Sequence, residues 1–325
     1  ATDLSPTTGA SVTANPKLNT IYTVTGTIVS TGCTATATAL VNATPPTPVV
    51  TPAAVNLCLG NSTVLTVAPY AATTPTAGPI AIPLGAPTST SGTAGPYPSA
   101  INVGGLPASG VRVKSVNING ISHTFPSDID MLLQAPNGSY VILMSDRGGS
   151  ADIVNANLVF DDAALTDLPN ANIVSGTYRT TNLSAPDVFP APGPGSVNQL
   201  NPRLSTFSGN FNGDWKLFIN DQFAGDPGSI TSWSITFEVN GAVWTPVTGL
   251  YTDANTLIPY VAGTMAATVY PKPTTTTTYN ASLSTATCTS GTGSSTVTVL
   301  VPASITTQPA NATVCAGANA VFTVT

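Results

Sequence analysis

The sequence predicts an all-β chain of sandwich-type units, on three observations. Thr, Ser, Val, Gly and Pro dominate the 325 residues, and β-branched residues suit pleated surfaces while Gly and Pro supply turns. Charged residues are only 7% of the chain and Glu238 is its sole glutamate, so the charged helix formers Glu and Lys are nearly absent. The third observation is repetition. LCLGNSTVLTV around Cys58 returns as VCAGANAVFTVT around Cys315, and Tyr22, ahead of Cys33, returns as Tyr279, ahead of Cys288.

Taken in order, residues 1–44 read as the closing part of one repeat, in which TIYTVTGTIVSTGCTATATALV alternates Thr, Val and Tyr. PPTPVVTP, within 45–52, reads as an extended proline-rich linker. A new repeat opens over 53–75 and breaks off. Its second half resumes over 242–302, where VWTPVTGLYTDA leads to TVYPKPTTTTTYNASLSTATC. The intervening 76–241 differs in composition and holds most of the acidic residues, so it reads as a domain inserted into the repeat. Residues 303–325 open a further repeat. The fold class expected is therefore small β-sandwich repeats with a larger β-sandwich inserted into one of them.

Composition excludes several functions. Eight Lys and Arg against fourteen Asp and Glu give a net charge of −6, a poor match to phosphate backbones, so nucleic acid is not an expected partner. No apolar run approaches the roughly 20 residues of a membrane helix. The four cysteines show no metal-ligand spacing, and His123 is the only histidine, so disulfides are the better reading than zinc. The repeat register pairs Cys58 with Cys288 and leaves Cys33 and Cys315 to the flanking repeats; a rival pairing joins Cys33 to Cys58. Disulfides imply an extracytoplasmic compartment.

Within the insert, Ile129, Met131 and Leu133 lie on one strand face and Asp128, Asp130, Leu132 and Gln134 on the other. The first face is assigned to the core. Asn137-Gly138 suits a hairpin turn and Tyr140–Met144 its return strand. Trp215 and Trp233, in alternating runs, are assigned to the core. Asp128, Asp130, Asp161, Asp162, Asp221 and Asp226 fall at strand ends and loops, where clustered oxygens suit a hard cation such as calcium; the same residues also suit turn capping. His123, with no nucleophile motif beside it, reads as structural, and GxSxG is absent. Asp161 or Asp162 with Asp221 could in principle supply the paired carboxylates of glycoside cleavage, but no enzymatic activity is expected.

WTPVTGL, PTTTTTYN and ITTQPANATVCAG resemble the immunoglobulin-like repeats of giant cell-surface and secreted proteins of Bacteroidota, over roughly residues 1–70 and 242–325. VKSVNINGISHTFPSDIDMLLQAPNGSYVILMSDRGGS, LVFDDAA and LSTFSGNFNGDWKLFINDQFAGDPGSITSWSITFE resemble, over Val113 to Glu238, the P domain (P/Homo B) that follows the catalytic domain of proprotein convertases and occurs in bacterial secreted peptidases. That resemblance implies a noncatalytic eight-stranded jelly roll that stabilises or targets an attached module. Together the resemblances imply an extracellular, cell-surface protein of adhesin or filament type, often exported by type IX secretion, whose partners are neighbouring repeats or subunits. The alternatives are an accessory region of a secreted peptidase, and a glycan-binding module with Tyr140, Tyr178 and Phe223 as candidate contacts.

Overall fold

A computed structural model describes residues 3–83 and 91–325. It is all-β; among the described residues the only helical turns are the short 3-10 segments Pro126–Asp128 and Leu204–Thr206, and no helix is long and apolar enough to cross a membrane. Four strands lie in the N-terminal part: β1 (Leu4–Ser5), β2 (Thr13–Ala14), β3 (Thr20–Thr27) and β4 (Thr34–Val41). Three follow at β5 (Val50–Thr51), β6 (Ala54–Cys58) and β7 (Leu65–Val67). The middle of the chain supplies β8 (Tyr70–Thr73), β9 (Ile80–Ile82), β10 (Gly92–Thr93), β11 (Ser99–Val103), β12 (Val111–His123), β13 (Ile129–Gln134), β14 (Tyr140–Ser145) and β15 (Ile153–Phe160). It continues with β16 (Gly176–Tyr178), β17 (Thr181–Asn182), β18 (Asp187–Phe189), β19 (Gly195–Val197), β20 (Gly213–Asp221), β21 (Gly228–Ile230) and β22 (Ser232–Val239). The last strands are β23 (Ala242–Thr245), β24 (Leu250–Tyr251), β25 (Met265–Ala266), β26 (Thr268–Pro271), β27 (Thr277–Ser282) and β28 (Gly293–Leu300).

The smaller sandwich is made from both sides of the insert. One sheet runs β25-β23-β27-β28-β6 and the other β24-β26-β7-β5. Every second residue turns inward: Leu65 and Val67 on β7, Tyr279 and Ala281 on β27, with Trp244, Val269 and Val297, are buried. β6 pairs parallel with β28, Ala54 opposite Thr296 and Cys58 opposite Leu300. The chain thus enters this sandwich at one end of the pair and leaves at the other.

The larger sandwich packs a six-stranded sheet, β10-β20-β13-β14-β17 with β11 on β20, against a seven-stranded sheet centred on β12. Trp215, Leu217 and Ile219 from β20 meet Trp233, Ile235 and Phe237 from β22 in one core. Phe207 and Phe237 meet Trp215 edge-on at 5.0 and 5.5 Å, while Phe211 stacks on it at 5.9 Å. Both indoles are fully buried with N–H groups bonded, Trp215 Nε1 to Phe211 O and Trp233 Nε1 to Ser99 Oγ.

Several sequence expectations shift. The face of β13 carrying Leu132 is also buried: the β18–β19 hairpin covers it, and Leu132, Ile142, Phe189, Val197 and Phe218 form a second small core. The expected 45–52 linker contains an edge strand, since Val50 and Thr51 pair with Val67 and Thr66. The expected boundary at 75 moves to the turn before Tyr70, because β8 already belongs to the larger sandwich through β22. The expected insert also spans 84–90, which lie outside the described residues. The Cys58–Cys288 disulfide is absent, and all four cysteines, including Cys33 of the rival pairing, are free. Cys58 sits opposite Leu300, whereas Cys288 lies in the loop before Gly293, at the far end of the same strand. Eight residues of strand separate the two by about 25 Å, against the roughly 7 Å between Cα atoms that a disulfide tolerates.

The two sandwiches share a continuous core and meet at a tight crossing. Asn240 N donates to Gly110 O at 2.7 Å, and Val239 faces both Tyr70 and Val111. Gly110 has φ +70°, and a Cβ there would stand 2.7 Å from Asn240 O and 2.9 Å from Met265 Cε. Gly110→Val is expected to destabilise the protein by about 1–3 kcal/mol, combining overpacking with a disfavoured backbone. A lowered denaturation midpoint checks this; an unchanged one refutes the rigid crossing.

Candidate functional site

The acidic residues of the insert do not converge on one point. Asp161 accepts Ala163 N at 2.9 Å and lies 3.6 Å from Lys114 Nζ. Asp162 accepts Leu204 N and Ser205 N at 2.9 and 2.8 Å, capping the second 3-10 turn. Both sit beside the middle of β12, because Phe160 pairs with Val116. The other four stand toward the His123 end, where Ile129 and Asp130 pair with Asp221 and Asn220.

At that end His123 and Asp221 are buried, with His123 Nε2 3.8 Å from Asp221 Oδ2. His123 Nδ1 accepts the Phe125 amide at 3.2 Å and Asp221 Oδ1 accepts the Phe223 amide at 3.2 Å. Burial lowers the His123 pKa and pushes Asp221 up to about 6. With Nδ1 occupied as an acceptor, neutral His123 carries its proton on Nε2, which at 3.8 Å from Asp221 Oδ2 makes no hydrogen bond, so both atoms are buried without a partner. Asp226 stays at the rim, accepting Thr124 Oγ1 at 3.0 Å, and Asp128 is raised by burial. The histidine side chain has no solvent exposure, and the Phe125 amide on its Nδ1 ties it to the end of β12.

The densest polar cluster centres on Ser145. Its Oγ lies 2.6 Å from Asp130 Oδ1 and 2.6 Å from Asp187 Oδ1. Gln222 Nε2 donates to Asp130 Oδ2 at 2.6 Å, and Asn182 Nδ2 donates to Asp187 Oδ2 at 2.7 Å. Asp130, Ser145, Asp187 and Asn182 are all buried. One serine hydroxyl carries one hydrogen, so it cannot donate to both carboxylates. The arrangement is satisfied when one carboxyl is protonated and donates to Ser145, and burial supplies that proton by pushing Asp130 up to about 7 and raising Asp187. The cluster ties β13, β14, β17 and β18 together beneath the hairpin that covers the small core.

Of the six aspartates expected to bind calcium, Asp161 and Asp162 accept backbone amides, Asp221 faces His123, Asp130 joins the Ser145 cluster, Asp226 accepts Thr124 Oγ1 and Asp128 accepts Ser127 Oγ. Among the described residues, no group of three or more His, Cys, Asp or Glu side chains is arranged to hold a metal ion. The expected Asp161 or Asp162 pairing with Asp221 fails for the same reason: a length of β12 separates them. Tyr140 and Tyr178 lie on different sheets, and only Phe223 of the three proposed glycan contacts is well exposed. Ser145, Asn182, Asp187 and Gln222 were not foreseen. Their one signal in the sequence is a polar residue ending or starting an apolar strand, as in YVILMS and DVF.

No protein-family model matches the chain, and no curated protein matches it. Among solved structures, a chain described as a serine protease of Aeromonas sobria is similar with 14% identity and a TM-score of 0.25; the match covers 53% of this chain and 27% of that one. This chain thus spans about a quarter of that protein's length, and a likeness at this level bears on neither fold nor activity.

The sign of the pH response follows from Asp130. Its pKa is raised in the folded state, so folding favours the protonated form and the contribution of Asp130 to stability is greatest below the ordinary carboxylate range. Stability falls as pH rises from about 4 to about 7. Asp130→Asn is expected to flatten that segment of the stability profile and to be more stable than the parent at pH 8. Chemical denaturation from pH 4 to 8 measures both, and an unaltered slope in the variant would refute the shared proton.

Proposed function

We propose that the chain is a noncatalytic structural and display segment of a large extracellular surface protein, with the smaller sandwich as a link in a stalk and the larger one carried on its side. One observation supports this reading above the others. The larger sandwich leaves and rejoins the smaller through strands that pair with each other, Val239 opposite Tyr70, while the chain passes through the smaller sandwich end to end along β6 and β28. Tension along the chain therefore runs through the small sandwich and bypasses the large one. The resemblance of the flanks to immunoglobulin-like surface repeats, and of the insert to a P domain, agrees with such a division of labour. Burial of His123, together with the capping roles of Asp161 and Asp162, leaves the reading free of any required chemistry.

Single-molecule pulling between attachment points at residues 45 and 302 tests it. β6 and β28 are loaded in shear, which breaks their backbone bonds together rather than in sequence. The first event is expected to be rupture of the small sandwich, with the insert unravelling only afterwards. An initial lengthening equal to the insert alone would refute the stalk reading. Turnover of peptide or glycan substrates by the chain, lost in His123→Ala with the fold retained, would refute the noncatalytic one.

A further inference from the structure

Four arginines occur in the chain, and three of them, Arg147, Arg179 and Arg203, gather at one pocket of the larger sandwich. The pocket has a volume of about 60 Å³, and its lining includes Arg147, Asp167, Thr180, Asn182 and Arg203, brought together from separate parts of the chain. Arg147 lies in the turn just after β14, where Gly148 N donates to Pro169 O at 3.1 Å. Asn182 ends β17, and Arg203 stands directly before the second 3-10 turn, its Nη1 donating to Pro202 O at 2.7 Å. Arg179 is joined to the lining through Asp167, to which its Nε donates at 2.7 Å. That hydrogen bond, with the charges of Arg179, Arg203 and Arg147, holds the Asp167 carboxyl below the usual carboxylate range.

Three positive charges therefore stand against one lining carboxylate, in a chain whose overall charge is −6. Other carboxylates of these segments are engaged: Asp146 accepts Ser184 Oγ, Asp162 caps Leu204 and Ser205, and Asp187 belongs to the Ser145 cluster. Among the described residues no carboxylate pairs with Arg147 or Arg203, and Arg147 Nε is buried without an acceptor. Asn182, 8% exposed, has the opposite deficit. Its Nδ2 donates to Asp187 Oδ2 at 2.7 Å and to Gln199 O at 2.9 Å, which fixes the orientation of the amide, and its Oδ1 is buried with no donor. Each of these atoms carries the desolvation cost of burial with nothing to offset it. A single group that accepts from a guanidinium and donates to an amide oxygen would satisfy both.

We propose that this pocket binds a phosphate group that carries one proton, with Arg147 and Arg203 donating to its oxygens and its P–O–H donating to Asn182 Oδ1. A space of this size holds one tetrahedral oxyanion and is too small for a sugar ring or a base. Guanidinium groups are planar forks that donate to two oxygens of a phosphate at once. The free acceptor on Asn182 sets the selectivity. Sulfate and carboxylate ions carry no proton near neutral pH and would press lone pairs against Oδ1, whereas inorganic phosphate retains a proton there. A phosphate ester meets the same requirement below its second pKa of about 6. The site belongs to the larger sandwich alone, so it stands whether or not the chain is a stalk.

Isothermal titration calorimetry of the full chain with inorganic phosphate and with sulfate, at matched ionic strength near pH 7, tests it. One phosphate is expected to bind per chain, with sulfate weaker by about tenfold or more. Arg147→Gln and Arg203→Gln should each weaken phosphate binding by about tenfold or more while keeping a cooperative melting transition. Arg112→Gln, which removes the arginine paired with Glu238, should leave binding unchanged. No saturable uptake of phosphate, sulfate bound as tightly as phosphate, or full affinity in the folded arginine variants would each overturn the proposal. Glycerol 3-phosphate at about pH 5.5, where it keeps a proton, identifies the source. Displacement of inorganic phosphate supports a phosphate ester as the ligand, and failure to displace it supports the free ion. Displacement that persists undiminished at about pH 8, where the ester has lost that proton, would overturn the shared proton with Asn182.

Discussion

The ladder between β22 and its two neighbours, β12 and β8, is the interaction on which the rest of the arrangement depends. β22 carries Trp233, Ile235 and Phe237 into the large core and, at Val239, stands between Tyr70 and Val111 where the chain crosses between sandwiches. One strand therefore sets the register of the large sheet and fixes how far apart the two crossings lie. A slip of one residue would turn all three side chains outward and would also part the crossings, breaking the small sandwich that needs residues from both sides of the insert. The Asn240–Gly110 hydrogen bond holds this register at a point where the backbones approach too closely for a side chain on residue 110.

Much of the architecture was legible in the sequence because two-residue alternation and turn residues act locally. Thr and Val alternation marked β27 and β28, Asn137-Gly138 marked the β13–β14 hairpin, and the repeated CxG phrase marked the break in the small sandwich. What alternation could not convey was a second layer over an already buried sheet. Leu132 shares a face with Asp130 and looked solvent-facing, yet the β18–β19 hairpin, brought from elsewhere in the chain, covers it. The cysteine pairing failed for a related reason: the register placed Cys58 at the start and Cys288 at the close of one repeat, but membership of a repeat carries no information about which end of a strand each residue occupies.

The acidic residues show the same limit from the electrostatic side. Their sequence positions are alike, all at strand ends or loops, and their surroundings differ widely. Asp162 satisfies the exposed amides of a helical turn, Asp221 faces a buried imidazole, and Asp130 shares a serine with Asp187. Partners as distant in sequence as Gln222 and Asp130 decide these roles. The outcome is a protein with few charges that places several of them in its interior, where each is restrained by a proton or an amide rather than by an opposite charge.

The paired crossing at Val239 and Tyr70 also has a consequence for how the chain reaches its fold. The strands of the small sandwich that precede and follow the insert are separated by a long stretch of chain, and bringing them together from the unfolded state closes a loop of that length. Once the insert has folded, its ends emerge side by side and the same closure spans only a few free residues. By the logarithmic scaling of loop entropy the difference is worth about 3 kcal/mol. The large sandwich thus serves the small one as a tight turn would serve a hairpin, and loop entropy favours assembly from the middle of the chain outward.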